Sequence, residues 1–183
     1  SHPLFDIVDG GIVRNVILKG VSINSSEDNV GAITGVAQGY SRIYNCGILP
    51  DSPDYPSGTH PTVSTSGNCA GGLVGSLCDD SRVVNCFSYA DVSASGTAAG
   101  IVGDNTYAST ALETDGKYTE LRTMVVNCMF YGNITATTIY PVYGGEKITN
   151  TGATAINNYN FYRNGSTFST ALTDYNCSWP AQE

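Results

Sequence analysis

Few side chains in this sequence could do chemistry, and they do not gather into a familiar constellation. The densest charged group is Asp79-Asp80 with Arg82, two carboxylates beside a guanidinium. Hydrolysis of a glycosidic bond needs two carboxyl groups about 5 to 9 Å apart across the sugar, so this is the place to look for such an activity. Asp-Asp-Ser is equally ordinary turn chemistry, because short acidic side chains support tight backbone bends. Calcium could be sought among Asp51, Asp54, Asp79, Asp80 and Asp104, which fall in turns or inserts. Neither the EF-hand spacing nor the Gly-Gly-x-Gly-x-Asp calcium repeat is present. With two His and no Cys-x-x-Cys pair, structural zinc has no ligand set. No Ser, His and Asp set sits in a recognisable nucleophile context. The sequence asks for no cofactor and no metal, and it names no catalytic residue.

Cysteine and tyrosine carry more information. Cys46, Cys86 and Cys128 each follow an Asn, with Val16 and Asn158 in the corresponding places at the ends. Stacked in a core, such thiols would pack as small hydrophobes, with no metal or redox task. Cys69 and Cys78 flank Gly75 and form a candidate disulfide, while Cys177 stands apart. Tyrosine is abundant, 12 residues against a single Trp. Exposed Tyr rings stack on sugars or anchor protein partners, although Tyr is also favoured on the outer face of sheets. Tyr55, His60, Asp79, Asp80, Arg82 and Tyr107 are the candidate binding residues, since they fall in turns or inserts.

These side chains need a frame, and the composition limits which one. Charged residues make up 13% of the chain, about half the roughly 25% usual in globular proteins. Gly (21 residues), Asn and hydroxylated residues take their place, a mixture suited to turns and poorly suited to long helices. The net charge of −8 argues against nucleic acid or anionic membranes as partners. No run of 18 apolar residues is present to insert in a membrane. Acidity and scarce Lys favour an extracellular setting.

The frame appears as an internal repeat. Val13-Arg14-Asn15-Val16 returns as Ile43-Tyr44-Asn45-Cys46, Val83-Val84-Asn85-Cys86, Val125-Val126-Asn127-Cys128 and, degraded, Ala155-Ile156-Asn157-Asn158. A second phrase precedes it: Ala32-Ile33-Thr34-Gly35, Gly72-Leu73-Val74-Gly75 and Gly100-Ile101-Val102-Gly103, with looser copies at Pro3–Asp6 and Pro141–Gly144. Ser41-Arg42 and Ser81-Arg82 sit at the same offset after it. Short β-branched and aromatic stretches such as Phe87–Ser93 follow each Asn and read as strand, bend, strand. One such unit cannot bury its apolar face alone, and stacking at about 4.8 Å solves this. The expected fold is all-β: a right-handed single-stranded parallel β-helix of about five rungs with three short strands each. In it Asn15, Asn45, Asn85, Asn127 and Asn157 would form an amide ladder. Gly35, Gly75 and Gly103 would mark bends or close approaches.

Two stretches leave the repeat, about 50–67 with four prolines and about 104–122. Inserts on solenoids gather on one face and often carry binding. The domain plan is then a β-helix over 1–158 and, over 159–183, a cap or the lead-in to a following domain. Both ends read as cut from a longer chain with other domains.

Gly72-Leu73-Val74-Gly75, and the close variant Gly100-Ile101-Val102-Gly103, resemble the GLUG-motif repeats of bacterial cell-surface proteins. Leu4-Phe5 through Asn15-Val16 is similar to the family's start of a unit. The resemblance covers roughly Leu4 to Asn158 apart from the inserts. It implies a secreted or outer-surface bacterial protein in which adhesin-like β-helical repeats form stalks or adhesive surfaces. It supplies no catalytic residues. The first expectation is thus a non-catalytic structural or adhesive module. A surface glycan or another cell-surface protein, bound through Tyr-rich inserts, is the alternative. A polysaccharide lyase or hydrolase comes third, against the absence of the Gly-His-Gly motif of β-helical polygalacturonases.

Overall fold

The structure, a computed structural model, describes residues 2–52, 59–104 and 123–144 and the backbone of residues 161–162. Tyr55, Asp54, Tyr107, Asn157, Cys177 and the remainder of the 159–183 segment lie outside the described residues. All regular structure is β, with no helix among the described residues.

The strands are short and recur in sets of five. The first set is β1 (Phe5–Asp9), β2 (Ile12–Arg14), β3 (Ile17–Lys19), β4 (Ser22–Ser25) and β5 (Asn29–Val30). The second is β6 (Thr34–Gln38), β7 (Arg42–Tyr44), β8 (Gly47–Leu49), β9 (Thr62–Thr65) and β10 (Cys69–Gly71). The third is β11 (Val74–Leu77), β12 (Arg82–Val84), β13 (Phe87–Ser88), β14 (Asp91–Ser93) and β15 (Thr97–Ala99). The fourth is β16 (Val102–Asp104), β17 (Met124–Val126), β18 (Met129–Phe130), β19 (Ile134–Thr135) and β20 (Thr138–Tyr140), after which β21 (Phe161–Tyr162) pairs with β18.

Each strand pairs in parallel with its counterparts in the neighbouring sets. Five sheets result, called A to E in chain order: β1-β6-β11-β16, β2-β7-β12-β17, β3-β8-β13-β18-β21, β4-β9-β14-β19 and β5-β10-β15-β20. This is a β-helix-like stack of repeated turns. The register aligns Val13, Ile43, Val83 and Val125. It also aligns Phe5, Thr34, Val74, Val102 and Tyr143. Those are the two phrases that repeat in the sequence.

Two sequence expectations change. Three strands per turn become five, because two- and three-residue strands such as β13 and β18 are too short to show a period of their own. The first insert also shrinks. Thr62–Thr65 is β9 of sheet D, with Val63 pointing into the core between Ile23 and Val92. Its Pro- and Gly-rich flanks had hidden a four-residue strand of β-branched and hydroxyl side chains.

The core is built column by column. Inward positions alternate with outward ones along the strands, so each sheet contributes rows such as Ile43, Val83, Val125 or Val30, Ala70, Ala98, Ile139, almost all without solvent contact. The corner between sheets B and C is set by Asn. Asn15, Asn45, Asn85 and Asn127 have φ of 59°, 53°, 55° and 53°, the left-handed region that Asn enters more readily than other residues with a side chain. The corner between sheets E and A works differently. Gly35, Gly75 and Gly103 allow close approach there: a Cβ on Gly75 would lie 2.5 Å from the Asn29 carbonyl carbon, and one on Gly103 2.5 Å from that of Ala70.

Two stability measurements separate these roles. Asn85→Ala forces a Cβ-restricted residue into the left-handed region and should cost about 1–2 kcal/mol in denaturant unfolding. Asn85→Gly accepts the same φ and should cost under about 1 kcal/mol. Gly75→Ala needs no unusual φ, yet it should cost about 1–3 kcal/mol through overpacking. Equal losses in Asn85→Ala and Asn85→Gly would show that the amide, not the backbone angle, holds the corner.

Candidate functional site

Four clusters of polar or reactive side chains lie on the stack, each at a defined place. The first is the corner between sheets A and B, home of the acidic pair. Asp79 and Asp80 both have positive φ, 49° and 53°, as do Gly39 and Tyr40 one turn earlier (61° and 66°). The two aspartates are corner residues. Asp80 Oδ1 accepts from Arg82 Nη2 at 3.3 Å, and its carbonyl accepts from Arg42 Nη1 at 2.8 Å. Arg42 also donates to the Tyr40 and Ser41 carbonyls. Arg42 and Arg82 stand in register on neighbouring strands, so the pair of guanidiniums straps the corner across two turns.

Inside the same corner runs a column that sequence reasoning noticed only as a recurring Ser-Arg. Ser41 and Ser81 are fully buried and Thr123 nearly so. Ser41 donates through Oγ to the Gln38 and Val8 carbonyls, while its Oγ accepts from the Gly11 amide. Ser81 Oγ accepts from the Ser41 amide at 3.0 Å. The hydroxyls satisfy backbone groups where the chain leaves one sheet for the next.

The thiols form the second cluster, inside the corner between sheets B and C. Each donates to the carbonyl two residues earlier: Cys46 to Tyr44 (3.2 Å), Cys86 to Val84 (3.3 Å) and Cys128 to Val126 (3.4 Å). Each also reaches a carbonyl of the preceding turn, at Val13, Ile43 and Val83 respectively. The Cys46 amide donates to Cys86 Sγ at 3.4 Å. The column is a weak hydrogen-bonding seam as well as core filling. Outside the corner, Asn45 donates its amide to Asn15 Oδ1 (3.3 Å) and Asn127 to Asn85 Oδ1 (3.1 Å). The asparagines are exposed, so this ladder lies on the surface, back to back with the thiols.

Neighbouring thiols and burial hold Cys46 and Cys86 protonated. Hydrogen bonding with Cys86, then burial, raises Cys46 well above its ordinary 9.0. Hydrogen bonding with Cys128, together with burial, pushes Cys86 up to about 12. Cys69, raised first by burial and then by the Asp104 and Asp28 charges, also reaches about 12, and burial raises Cys78 too. Cys69 and Cys78 are free thiols here, with Cys69 donating to the Gly75 carbonyl at 3.4 Å.

The third cluster sits where sheet C gives way to sheet D. Asp91 Oδ1 accepts from both the amide and the side chain of Asn133, each at 2.9 Å, and lies 3.1 Å from His60 Nδ1. Beside it, Tyr89 and Tyr131 stack in tilted fashion with centroids 5.2 Å apart, and Phe87 meets Tyr89 edge-on at 6.2 Å. Sequence reasoning placed His60 in a loop and overlooked Asp91 and Asn133 as its neighbours. The available signal was the matched spacing of Phe87, Tyr89 and Asp91 with Met129, Tyr131 and Asn133.

A fourth feature is an open cleft of about 490 Å³ bordered by His2, Asp6, Glu27, Asp28 and Asn29 beside Gly35 and Val36. It lies where sheets E and A begin. Among the described residues, no three His, Cys, Asp or Glu side chains are placed to share a metal ion. The six sequence candidates are not brought together as one site. Asp79, Asp80 and Arg82 share a corner, His60 belongs to another, and Tyr55 and Tyr107 fall outside the described residues.

Protein-family models, curated proteins and solved structures gave no match to this chain.

The thiols yield a measurable pH effect. A folded-state thiol pKa raised above the unfolded value means that the folded chain binds more protons once the unfolded thiols ionise. This stabilisation is whole below about 9 and is lost as pH rises toward about 12. Native protein at pH 8 should therefore resist alkylation at Cys69 and Cys86, read by mass-spectrometric peptide mapping, while denatured protein reacts within minutes. Rapid native labelling of Cys86 would contradict its burial and bonding.

Proposed function

We propose that this chain is a non-catalytic structural or adhesive module of an extracellular bacterial protein, displaying loop inserts on a stiff right-handed β-helix of about five turns. The observation that carries this reading is how the side chains with chemical potential are used. Asp80 and both arginines strap one corner, Asp91 ties Asn133 and His60 to a second, and the thiols line a third. Each bridges successive turns, which is the work of a scaffold. The winding sense is inferred from the strong right-handed preference of parallel strand crossovers. The resemblance of Gly72–Gly75 to GLUG repeats supports a bacterial cell-surface setting, and the net charge of −8 fits it.

The inserts depart from two different corners. Residues 50–61 connect β8 of sheet C to β9 of sheet D, whereas 105–123 connect β16 of sheet A to β17 of sheet B. The display reading therefore assigns the protein two separate presenting edges. A glycan- or protein-binding module is the second reading, favoured by the aromatic group on sheet C. An enzyme is disfavoured because Asp79 and Asp80 serve as corner residues, one of them bound to Arg82.

Two experiments test the display reading. Replacing residues 53–58 with a Gly-Ser linker should leave cooperative unfolding intact and move Tm by less than about 3 °C, under about 1 kcal/mol for a chain of this size. Removing β9, Thr62–Thr65, should abolish cooperative unfolding. A reducing-sugar assay on a polysaccharide panel should show no release above that of the Asp79→Asn/Asp80→Asn variant. Release that disappears in that variant would make the protein an enzyme.

A further inference from the structure

Large exposed apolar side chains occur on the first turn, among them Ile7, Ile12 and Ile17, but aromatic rings gather beside hydrogen-bonding groups at one part of sheet C and its corner with sheet D. Along β13 and the residues after it, Phe87, Tyr89 and Asp91 share the outward side while Ser88 and Ala90 are buried. One turn later the same side carries Met129, Tyr131 and Asn133, with Phe130 buried between. The backbone holds this arrangement: the Tyr89 amide donates to the Ile48 carbonyl and the Tyr131 amide to that of Ser88. Phe87 lies against Gly47, in the space a Cβ there would occupy, which sets its ring down beside the sheet. The result is a row of three rings, Phe87 to Tyr89 to Tyr131, each within 6.2 Å of the next.

Hydrogen-bonding groups border this row on one side. Asp91 and Asn133 are joined at 2.9 Å, and His60 stands 3.1 Å from the carboxylate. The Asp91 side chain is 36% exposed and that of His60 21%. A ring platform next to a carboxylate, an amide and an imidazole matches the two surfaces of a sugar: the C–H face that packs on aromatic rings, and the hydroxyl edge that exchanges hydrogen bonds. The net charge of −8 and the exposed carboxylate select against acidic polymers.

We propose that this face is a binding site for a neutral glycan, with Tyr89 and Tyr131 as the stacking platform and Asp91, Asn133 and His60 as the hydroxyl-recognising border. Apart from His60, which lies at the end of the first insert, the site residues lie on the regular stack. The site rests on the display reading only for its rigidity, since the rings keep their spacing because the turns keep theirs.

Affinity gel electrophoresis of the full chain tests the proposal, with mixed-linkage β-glucan, xylan, galactomannan or an α-glucan in the gel and polygalacturonate as the acidic control. The expected result is retardation by at least one neutral polymer. It should weaken at least fivefold in Tyr89→Ala/Tyr131→Ala and stay within about twofold of wild type in Tyr131→Phe, which keeps the ring. No retardation by any neutral polymer overturns the proposal, as does retardation unchanged in the double variant or stronger on polygalacturonate. Should the double variant fail to unfold cooperatively, tetranitromethane nitration of the wild type decides. Oligosaccharide cut from the retarding polymer must shield Tyr89 and Tyr131, and equal nitration with and without it overturns the site. Failure of the glycan site leaves the cooperative melting of the wild-type stack, and so the display reading, standing.

Discussion

Everything in this molecule depends on one constraint: each turn must bend where its neighbours bend. Parallel strands pair in register only if successive turns superpose at about 4.8 Å, so a corner placed one residue early would break five sheets at once. The chain meets the constraint by repeating the backbone angle and not by repeating every residue. Asn at four successive turns enters the left-handed region between sheets B and C. Between sheets A and B the same region is reached by Gly39-Tyr40 in one turn and Asp79-Asp80 in the next. The side chains then follow the corner: thiols inside one, serine hydroxyls inside the other, each hydrogen-bonded to backbone carbonyls or amides at the bend.

The same logic explains where polar chemistry is spent. Buried hydroxyls and thiols such as Ser41, Ser81, Cys46 and Cys86 are tolerated because each finds a backbone partner, the rule for buried polar groups generally. Arg82 shows the limit of this economy, since its Nε is buried without a hydrogen-bond partner. Its Nη2 still reaches Asp80, and the stacked Arg42 spans three carbonyls. A carboxylate so occupied is poorly placed to move protons for a substrate. That is why an acidic pair with the outline of a hydrolase site reads, in three dimensions, as a strap.

Much of the architecture was legible in the sequence, and the reason is physical. The Asn-Cys phrase and the Gly-containing phrase each encode a corner, and corners are where residue choice is narrowest. The strands between them were less legible. A two-residue strand such as Ile134–Thr135 has no periodicity to detect, and Thr62–Thr65 was concealed by the prolines before it. The outer aromatic row was missed for a related reason. Tyr89 and Tyr131 are 42 residues apart, and only the register that places Phe87 beside Met129 brings the residues following them together. The Ser41–Ser81 column left a trace as a recurring dipeptide, but its buried role requires knowing which way the corner turns.

The central claim is the pairing of residues about one repeat apart as parallel neighbours. Nuclear Overhauser spectroscopy on isotopically labelled protein tests it most directly. The account predicts cross-strand contacts from the Val83 backbone to both Ile43 and Val125, and from Val92 to both Val63 and Ile134, in the staggered pattern of parallel strands. Contacts joining Val83 instead to sequence neighbours across a hairpin, in the facing pattern of antiparallel strands, would contradict the stack and every site placed on it.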